Sequence, residues 1–478
     1  MNYRTIFYTL GCVLNIEAAA MVLPLICAFI YGDSSIWSFI SSIALCLLFG
    51  ISLTVKSPKN KTLYSKEAFV TVALSWIVLS IFGAFPFVFS GAIPNFIDAL
   101  FETVSGFTTT GASILSDIEA LPNSLLLWRS FTHWIGGMGV LVFLISILPL
   151  SGSNNVHLIR AESTGPAVSK LVPKVKTTAI ILYTIYLGIT VLEMIFLLFG
   201  GMTFFEALNT ALATAGTGGF GIKNTSLAEY SPYIQIVVTV FMVLFGVNFS
   251  LYYLALCGKV KSALKSHELR AYAGIILIAT TLIAFDCRHI FANIGDLIRH
   301  SAFQVSSIIT TTGFMSSDFD KWPEFSKAIL VALMFVGACA GSTGGGIKVS
   351  RILILLKSIV KEVKIAAQPR STHKITIDNR MVEHETVRSV NVFIVSYFTI
   401  LLCSVLLISL DNLGFTTNVT AVISAINNIG PGLDLVGPTQ NFSIYSPFSK
   451  IVLSLNMLIG RLEIFPILIL FSPYTWKK

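Results

Sequence analysis

Four short glycine-bearing stretches, three of them with threonine, recur along a chain that is otherwise apolar. Gly106-Phe107-Thr108-Thr109-Thr110-Gly111-Ala112-Ser113 and Ile309-Thr310-Thr311-Thr312-Gly313-Phe314 are nearly the same segment. Gly216-Thr217-Gly218-Gly219-Phe220 and Asn427-Asn428-Ile429-Gly430-Pro431-Gly432 are diverged copies. Each follows an apolar run of about ten residues, too short to cross a hydrocarbon core, which takes roughly 20. Non-helical backbone at membrane depth is tolerated only where it is packed in protein or lines water. Segments of this kind can meet that condition by offering stacked carbonyl and hydroxyl oxygens to a desolvated cation.

The rest of the chain supports that setting. Of its 478 residues, 54% are hydrophobic and only 12% charged, against about 25% charged in a soluble domain. Mean hydropathy is +0.81, and no polar block is large enough for a separate soluble domain. A net charge of +8 raises the question of nucleic acid. The basic residues sit instead in short loops between apolar spans, as orientation signals do, so nucleic acid is not an expected partner. The seven cysteines form no CxxC and mostly lie in apolar runs, which argues for buried thiols rather than a disulfide framework. A single N-terminal arginine precedes a long apolar run without a small-residue cleavage site, so a retained first helix is expected.

Spans near residues 5–30 and 36–55 predict an N-terminal hairpin without an intervening glycine segment. Thereafter one unit repeats: long helix, short re-entrant helix, glycine-rich segment, long helix. The first has helices near 67–90 and 125–149 with a short helix near 96–107. The second has helices near 177–200 and 232–257 with a short helix near 203–214. The third covers about 271–364 and the fourth about 386–472. Anchored on Gly111, Gly219, Gly313 and Gly430, the preceding residues align without gaps: Ile97-Asp98-Ala99-Leu100 on Phe205-Glu206-Ala207-Leu208, Phe101 on Phe303, and Ser105 on Ser307 and Ser424. The expected fold is an all-α polytopic membrane protein with four parallel repeats around one pseudo-fourfold pore. Its parts are a hairpin at 1–60 and units at 61–155, 156–262, 263–384 and 385–478.

Charge tests the topology. Arg4, the lysines at 56, 59, 61 and 66, the basic residues of 160–176, 259–270 and 348–388, and Lys477 and Lys478 make 24 of the 32 basic residues fall on one side. That side is expected to be cytoplasmic, with both termini. Lys223, Arg288, Arg299 and Lys321 are exceptions at the other face, where Asp117, Glu119, Asp318, Asp320, Glu324 and Asp434 can raise local cation concentration.

Two further features bear on mechanism. Gly337-Ala338-Cys339-Ala340-Gly341-Ser342-Thr343-Gly344-Gly345-Gly346 interrupts the second long helix of the third unit. Each glycine costs about 1 kcal/mol in a helix relative to alanine, so the run should unwind, as a functional loop or a packing kink. A P-loop is excluded, because Ile347 stands where lysine must follow Gly346. Arg461 lies in the last span, where a charge costs roughly 2.5–3.5 kcal/mol and must face the bundle or water. It either lines the pore or pairs with a carboxylate such as Glu463. Arg129 either anchors at the interface or braces the first glycine segment. The histidines, among them His133, His157 and His384, form no HExxH, so a membrane-embedded hydrolase has little support.

With these residues in view, the chain resembles the TrkH/TrkG-type potassium-translocating subunits of the superfamily of K⁺ transporters. The resemblance rests on the four segments, on Trp128-Arg129-Ser130-Phe131-Thr132-His133-Trp134-Ile135-Gly136-Gly137-Met138-Gly139, on Arg160-Ala161-Glu162-Ser163-Thr164-Gly165-Pro166 and on Gly460-Arg461-Leu462-Glu463. It implies a potassium filter made of Thr108, Thr109, Thr110, Gly111, Thr217, Gly218, Gly219, Thr310, Thr311, Thr312, Gly313, Asn427, Asn428, Ile429 and Gly430. Potassium would be held at Thr109, Thr110, Gly218, Thr311, Thr312, Asn428 and Ile429, with no other cofactor in the chain. The resemblance further implies a gate at Gly341, Ser342, Thr343, Gly344, Gly345 and Gly346 with Arg461 in the pore below the filter. It also implies homodimers in a bacterial-type cytoplasmic membrane and a cytosolic TrkA-type nucleotide-binding ring as regulatory partner. Glycine at all four filter positions points to potassium rather than sodium. A cation-coupled secondary transporter, K⁺/H⁺ or K⁺/Na⁺ symport, is the alternative, although such folds often use inverted repeats and these are parallel.

Overall fold

The computed structural model describes residues 1–56, 58, 64–137, 139, 175–369, 373–378 and 380–476. Within them the chain is helical almost throughout. Two helices, Tyr3–Tyr31 and Ile36–Thr54, form the N-terminal hairpin. They cross where Gly11 and Gly50 bring the backbones together; a Cβ on Gly11 would stand 2.8 Å from the Gly50 carbonyl oxygen. Small residues serve this purpose in membranes because lipid gives helices no hydrophobic reason to associate.

Every unit then opens with a helix long and apolar enough to span: Ser65–Phe89, Thr177–Phe199, His267–His289 and His384–Asp411. Each is followed by a short helix that enters from the same face. These are Phe96–Phe107, Phe204–Gly216, Ile294–Ile309 and Phe415–Asn427. Local sequence starts them. The Asn95 side chain accepts from the Ile97 N–H at 2.8 Å, and Thr203 and Glu206 form a reciprocal capping box. The apolar stripe that buries each short helix ends in threonines in the first three units and in Asn427-Asn428 in the fourth, and there the backbone leaves the helix.

The third helix departs from the expectation of one long span in the second and fourth units, and is interrupted at the glycine run in the third, as expected. Residues 232–257 form two helices, Pro232–Phe245 and Phe249–Leu256, bent by 91°. The break has a side-chain cause: Asn248 caps the second piece through the Ser250 N–H at 2.8 Å, and the Tyr252 hydroxyl donates at 2.6 Å to the Leu244 carbonyl at the end of the first. In the third unit Glu324–Val336 stops at Gly337 and the helix resumes as Val349–Ala367. In the fourth, Pro447–Arg461 and Phe465–Phe471 are separated by Leu462, Glu463 and Ile464, the last two at positive φ. In the first, Asn123–Gly137 is described and the expected continuation to 149 lies outside the described residues. The loop at 348–388 adds the one strand pair seen among the described residues, Thr376–Ile377 antiparallel to Arg380–Met381.

The core sits where the four short helices converge. Phe101, Phe107, Trp128, Phe303 and Phe319 are among its largest fully buried side chains, and the Trp128 indole N–H donates to the Gly83 carbonyl at 3.0 Å.

Candidate functional site: the axial segments and the loop beneath them

Leaving the short helices, all four glycine segments take the same path. Thr109, Thr217, Thr311 and Asn428 have φ of 55°, 54°, 59° and 56°. Two residues on, Gly111, Gly219, Gly313 and Gly430 have φ of 82°, 74°, 82° and 103°. The residue between keeps negative φ, and its N–H returns to the helix in each copy: Thr110 to the Ser105 carbonyl (2.9 Å), Gly218 to Ala213 (3.0 Å), Thr312 to Ser307 (2.8 Å) and Ile429 to Ser424 (3.0 Å). Alternating handedness turns successive carbonyls to one side, where an ordinary strand would point them to opposite sides. A β-branched threonine at positive φ is a strained outlier, worth of order 1–3 kcal/mol each and held only by its surroundings.

The segments meet as a closed ring. A Cβ on Gly111 would overlap the Gly218 carbonyl oxygen, one on Gly219 that of Thr312, and one on Gly313 that of Ile429. A Cβ on Gly430 would stand 2.9 Å from the Thr110 oxygen, which returns to the first unit. Each glycine thus abuts the carbonyl before the glycine of the next unit, and a side chain at any of the first three would push backbone out of the ring. Thr108, Thr109, Thr110, Thr217, Thr310, Thr311, Thr312, Asn427 and Ile429 are fully buried, and Asn428 is nearly so. Hydroxyl pairs tie the first and third segments internally: Thr108 with Thr110 at 2.8 Å and Thr310 with Thr312 at 2.7 Å. The fourth segment has no threonine. There the Asn428 amide donates across the ring to the Thr110 hydroxyl and back to the Met457 carbonyl, both at 2.9 Å.

Side chains behind the ring brace it. Arg129 is 1% exposed, so the interfacial-anchor alternative fails. Its Nε meets Glu102 at 2.8 Å, its Nη1 donates to the Gly221 carbonyl at 3.2 Å, and its guanidinium lies 4.1 Å from the Phe220 ring centroid. Glu102 in turn accepts from the Ser113 hydroxyl and the Ile114 N–H at 3.0 Å. One ion pair therefore joins the exits of the first and second segments. Buried His133 holds the Gly106 carbonyl through Nδ1 at 2.8 Å and stacks near Phe220. Glu102 was marked by no sequence motif, and His133, although inside the Trp128–Gly139 motif, was given no role by it.

Beneath the ring lies the glycine run of the third unit. The Gly345 N–H donates to the Thr311 hydroxyl at 2.6 Å and the Gly346 N–H to the Asn427 carbonyl at 3.1 Å. The Thr343 hydroxyl donates to the Phe245 carbonyl at 3.2 Å, the Gly341 carbonyl accepts the Phe249 N–H at 3.0 Å, and the Ser342 hydroxyl stays local on Cys339. Gly344 gives its carbonyl to the Lys348 ammonium. Arg461 reaches the same loop: Nη1 donates to the Thr343 carbonyl at 2.8 Å and Nη2 to the Gly136 carbonyl at 2.7 Å. The expected alternative of a pair with Glu463 does not occur, because Glu463 faces Arg351 instead. Glu463 lies beyond the end of the Arg461 helix, at φ of 56°.

Lys348 and Arg351 also correct the sequence reading, which counted them as solvated orientation residues. They are 2% and 6% exposed. Glu268, at the start of the third unit's first helix, accepts the Ala340 N–H at 2.7 Å and the Ser350 N–H at 3.1 Å, fixing both ends of the loop.

Four helical units around a ring of oriented carbonyls, with a loop packed under it, make this an integral membrane protein of the transport class. The comparisons with known proteins agree in detail. Residues 35–478 match the TrkH family, described as cation transport protein, and the chain belongs to that family. It is 35% identical to the Trk system potassium uptake protein TrkH of Escherichia coli (strain K12), over all of both chains. It is 30% identical to TrkG of the same strain, over all of this chain and 99% of that one. The crystal structure of the potassium transporter TrkH from Vibrio parahaemolyticus superposes with a TM-score of 0.90 at 30% identity, covering both chains fully.

Proposed function

We propose that this chain is the potassium-translocating subunit of a Trk-type uptake system, a transport protein and not an enzyme. Potassium is its substrate, and the four axial segments are its filter. The observation that carries this is the closed ring in which each glycine abuts the carbonyl of the next unit. A dehydrated cation needs several oxygens at once, and backbone carbonyls supply them without a fixed negative charge that would hold the ion too tightly. In this reading the carbonyls of Thr109, Thr110, Gly218, Thr311, Thr312, Asn428 and Ile429 replace its water. The loop from Gly341 to Gly346, clamped by Arg461, is the gate. The units at 61–155, 156–262, 263–384 and 385–478 each contribute one quadrant, and the hairpin at 1–60 is accessory.

The protein sits in a bacterial-type cytoplasmic membrane with both termini inside, as a homodimer. A cytosolic TrkA-type nucleotide-binding ring docks on the basic face formed by the loops around 259–270 and 348–388. The loop at 160–176 belongs to that face by charge, and its residues 160–174 lie outside the described residues. Purified protein in vesicles should pass potassium in preference to sodium. Repeating the flux with and without a proton gradient separates conduction from symport. Equal potassium and sodium flux would remove the filter assignment.

A further inference from the structure

The four residues at the left-handed position two before each filter glycine are equivalent in backbone but not in what their side-chain oxygens do. The Thr217 hydroxyl donates to the Gly216 carbonyl at 2.6 Å. The Thr109 hydroxyl and the Asn428 amide oxygen have no hydrogen-bond partner among the described residues, though both are buried. Thr311 alone among these four accepts a bond from the loop, the Gly345 N–H at 2.6 Å. Its neighbour in the ring is touched as well: a Cβ on Gly345 would overlap the Asn427 carbonyl oxygen and stand 3.2 Å from the Asn428 Cβ. The loop therefore does more than lie beneath the filter. It places the electropositive end of a peptide dipole on an oxygen at the filter's edge.

Resting on the filter and gate reading above, we infer that Thr311 is a ligand shared between filter and gate. With the loop in place its hydroxyl accepts the Gly345 N–H. When the loop leaves, the same oxygen turns to a potassium ion beside the oxygens of Thr109 and Asn428. A hydroxyl has two lone pairs and one proton, and a donor at 2.6 Å occupies the side from which the loop approaches. An N–H and a cation are both electropositive and compete for that oxygen. Ion and loop are then linked: potassium at the inner edge favours departure of the loop, and the loop weakens potassium there by the same factor. Thr311 is a positioning residue for the gate, and its hydroxyl, unlike its carbonyl, is a ligand only in the open state.

The test uses the full chain in vesicles without a regulatory partner, with Cys339 as native reporter. Its thiol is buried within the loop, and its modification by a thiol reagent is followed by site-resolved mass spectrometry. Potassium, compared with an impermeant organic cation, should speed labelling of Cys339 in the parent and in Thr311→Ser. In Thr311→Val, which keeps the shape and loses the oxygen, the potassium effect should vanish and basal potassium flux should rise roughly 2- to 10-fold, the value of one net hydrogen bond. Labelling that responds to potassium equally in Thr311→Val and the parent would overturn the inference. So would a parent whose labelling ignores potassium, which keeps the test decisive even if Thr311→Val does not assemble. Gly111→Ser, assayed alongside, tells the two readings apart. If it alters potassium preference while Thr311→Val leaves the linkage intact, the filter stands and the shared ligand falls. If ion preference is unmoved in Gly111→Ser, the filter reading itself has failed.

Discussion

Arg461 joins the last unit to the first unit and to the loop through one planar group, and replacing it separates two effects. The Thr343 carbonyl receives a charge-assisted hydrogen bond at 2.8 Å, and such bonds contribute about 1.5–3 kcal/mol. If that bond exists only with the loop in place, losing it shifts the loop toward release by roughly 10- to 150-fold, at about 1.36 kcal/mol per decade. The charge has a second effect. A cation about 6 Å away, at an effective dielectric near 20, feels a repulsion of roughly 3 kcal/mol, less where water fills the cavity. Arg461→Gln removes both, and should raise partner-free open probability and unitary conductance in planar bilayers. Arg461→Lys keeps the charge but cannot bridge Thr343 and Gly136 with one compact ammonium. It should therefore open more often than the parent at parental conductance. Relative permeability should hold in both variants, because neither contact involves the ring of glycines. A lysine variant with parental open probability refutes the tether, and a glutamine variant with parental conductance places the charge outside the ion path.

Three other outcomes follow from the geometry. Gly111→Ser introduces a Cβ that overlaps the Gly218 carbonyl at a residue with φ of 82°, so potassium preference over sodium should fall; unchanged relative permeabilities would take Gly111 out of the filter. Glu102→Gln strips the Arg129 guanidinium of its buried partner, and breaking such a pair costs about 3–5 kcal/mol. Thermal unfolding in detergent should show a clear loss, smaller when Arg129→Met is added, and a silent Glu102→Gln would mean the pair does not brace the ring. Reversing Lys357, Lys361 and Lys364 to glutamate should weaken co-purification with a TrkA-type ring; full retention would assign that basic helix to anionic lipid instead.

Much of this protein was legible in its sequence because the signals are local and repeated. Four glycine-bearing segments at one register, short apolar runs before them and a basic bias on alternate loops require only hydrophobicity and periodicity to read. They predict the re-entrant helices and the convergence of Thr108–Gly111, Thr217–Gly219, Thr310–Gly313 and Asn427–Gly430. The unwinding of the third unit's second long helix was legible too, since glycines in series cannot hold a helix in place. What the sequence could not decide are contacts between residues far apart in the chain. Arg129 finds Glu102 across the first unit, Asn428 finds Thr110 across the ring, and Glu463 finds Arg351 while Arg461 finds Thr343 and Gly136. The bend between Phe245 and Phe249 and the burial of Lys348 and Arg351 belong to the same class. Hydropathy reads an arginine at a helix end as solvated, whereas in the folded chain neighbouring carbonyls replace that solvent. Only the packed units bring those carbonyls within reach, so tertiary structure alone settles which charges are buried against the loop.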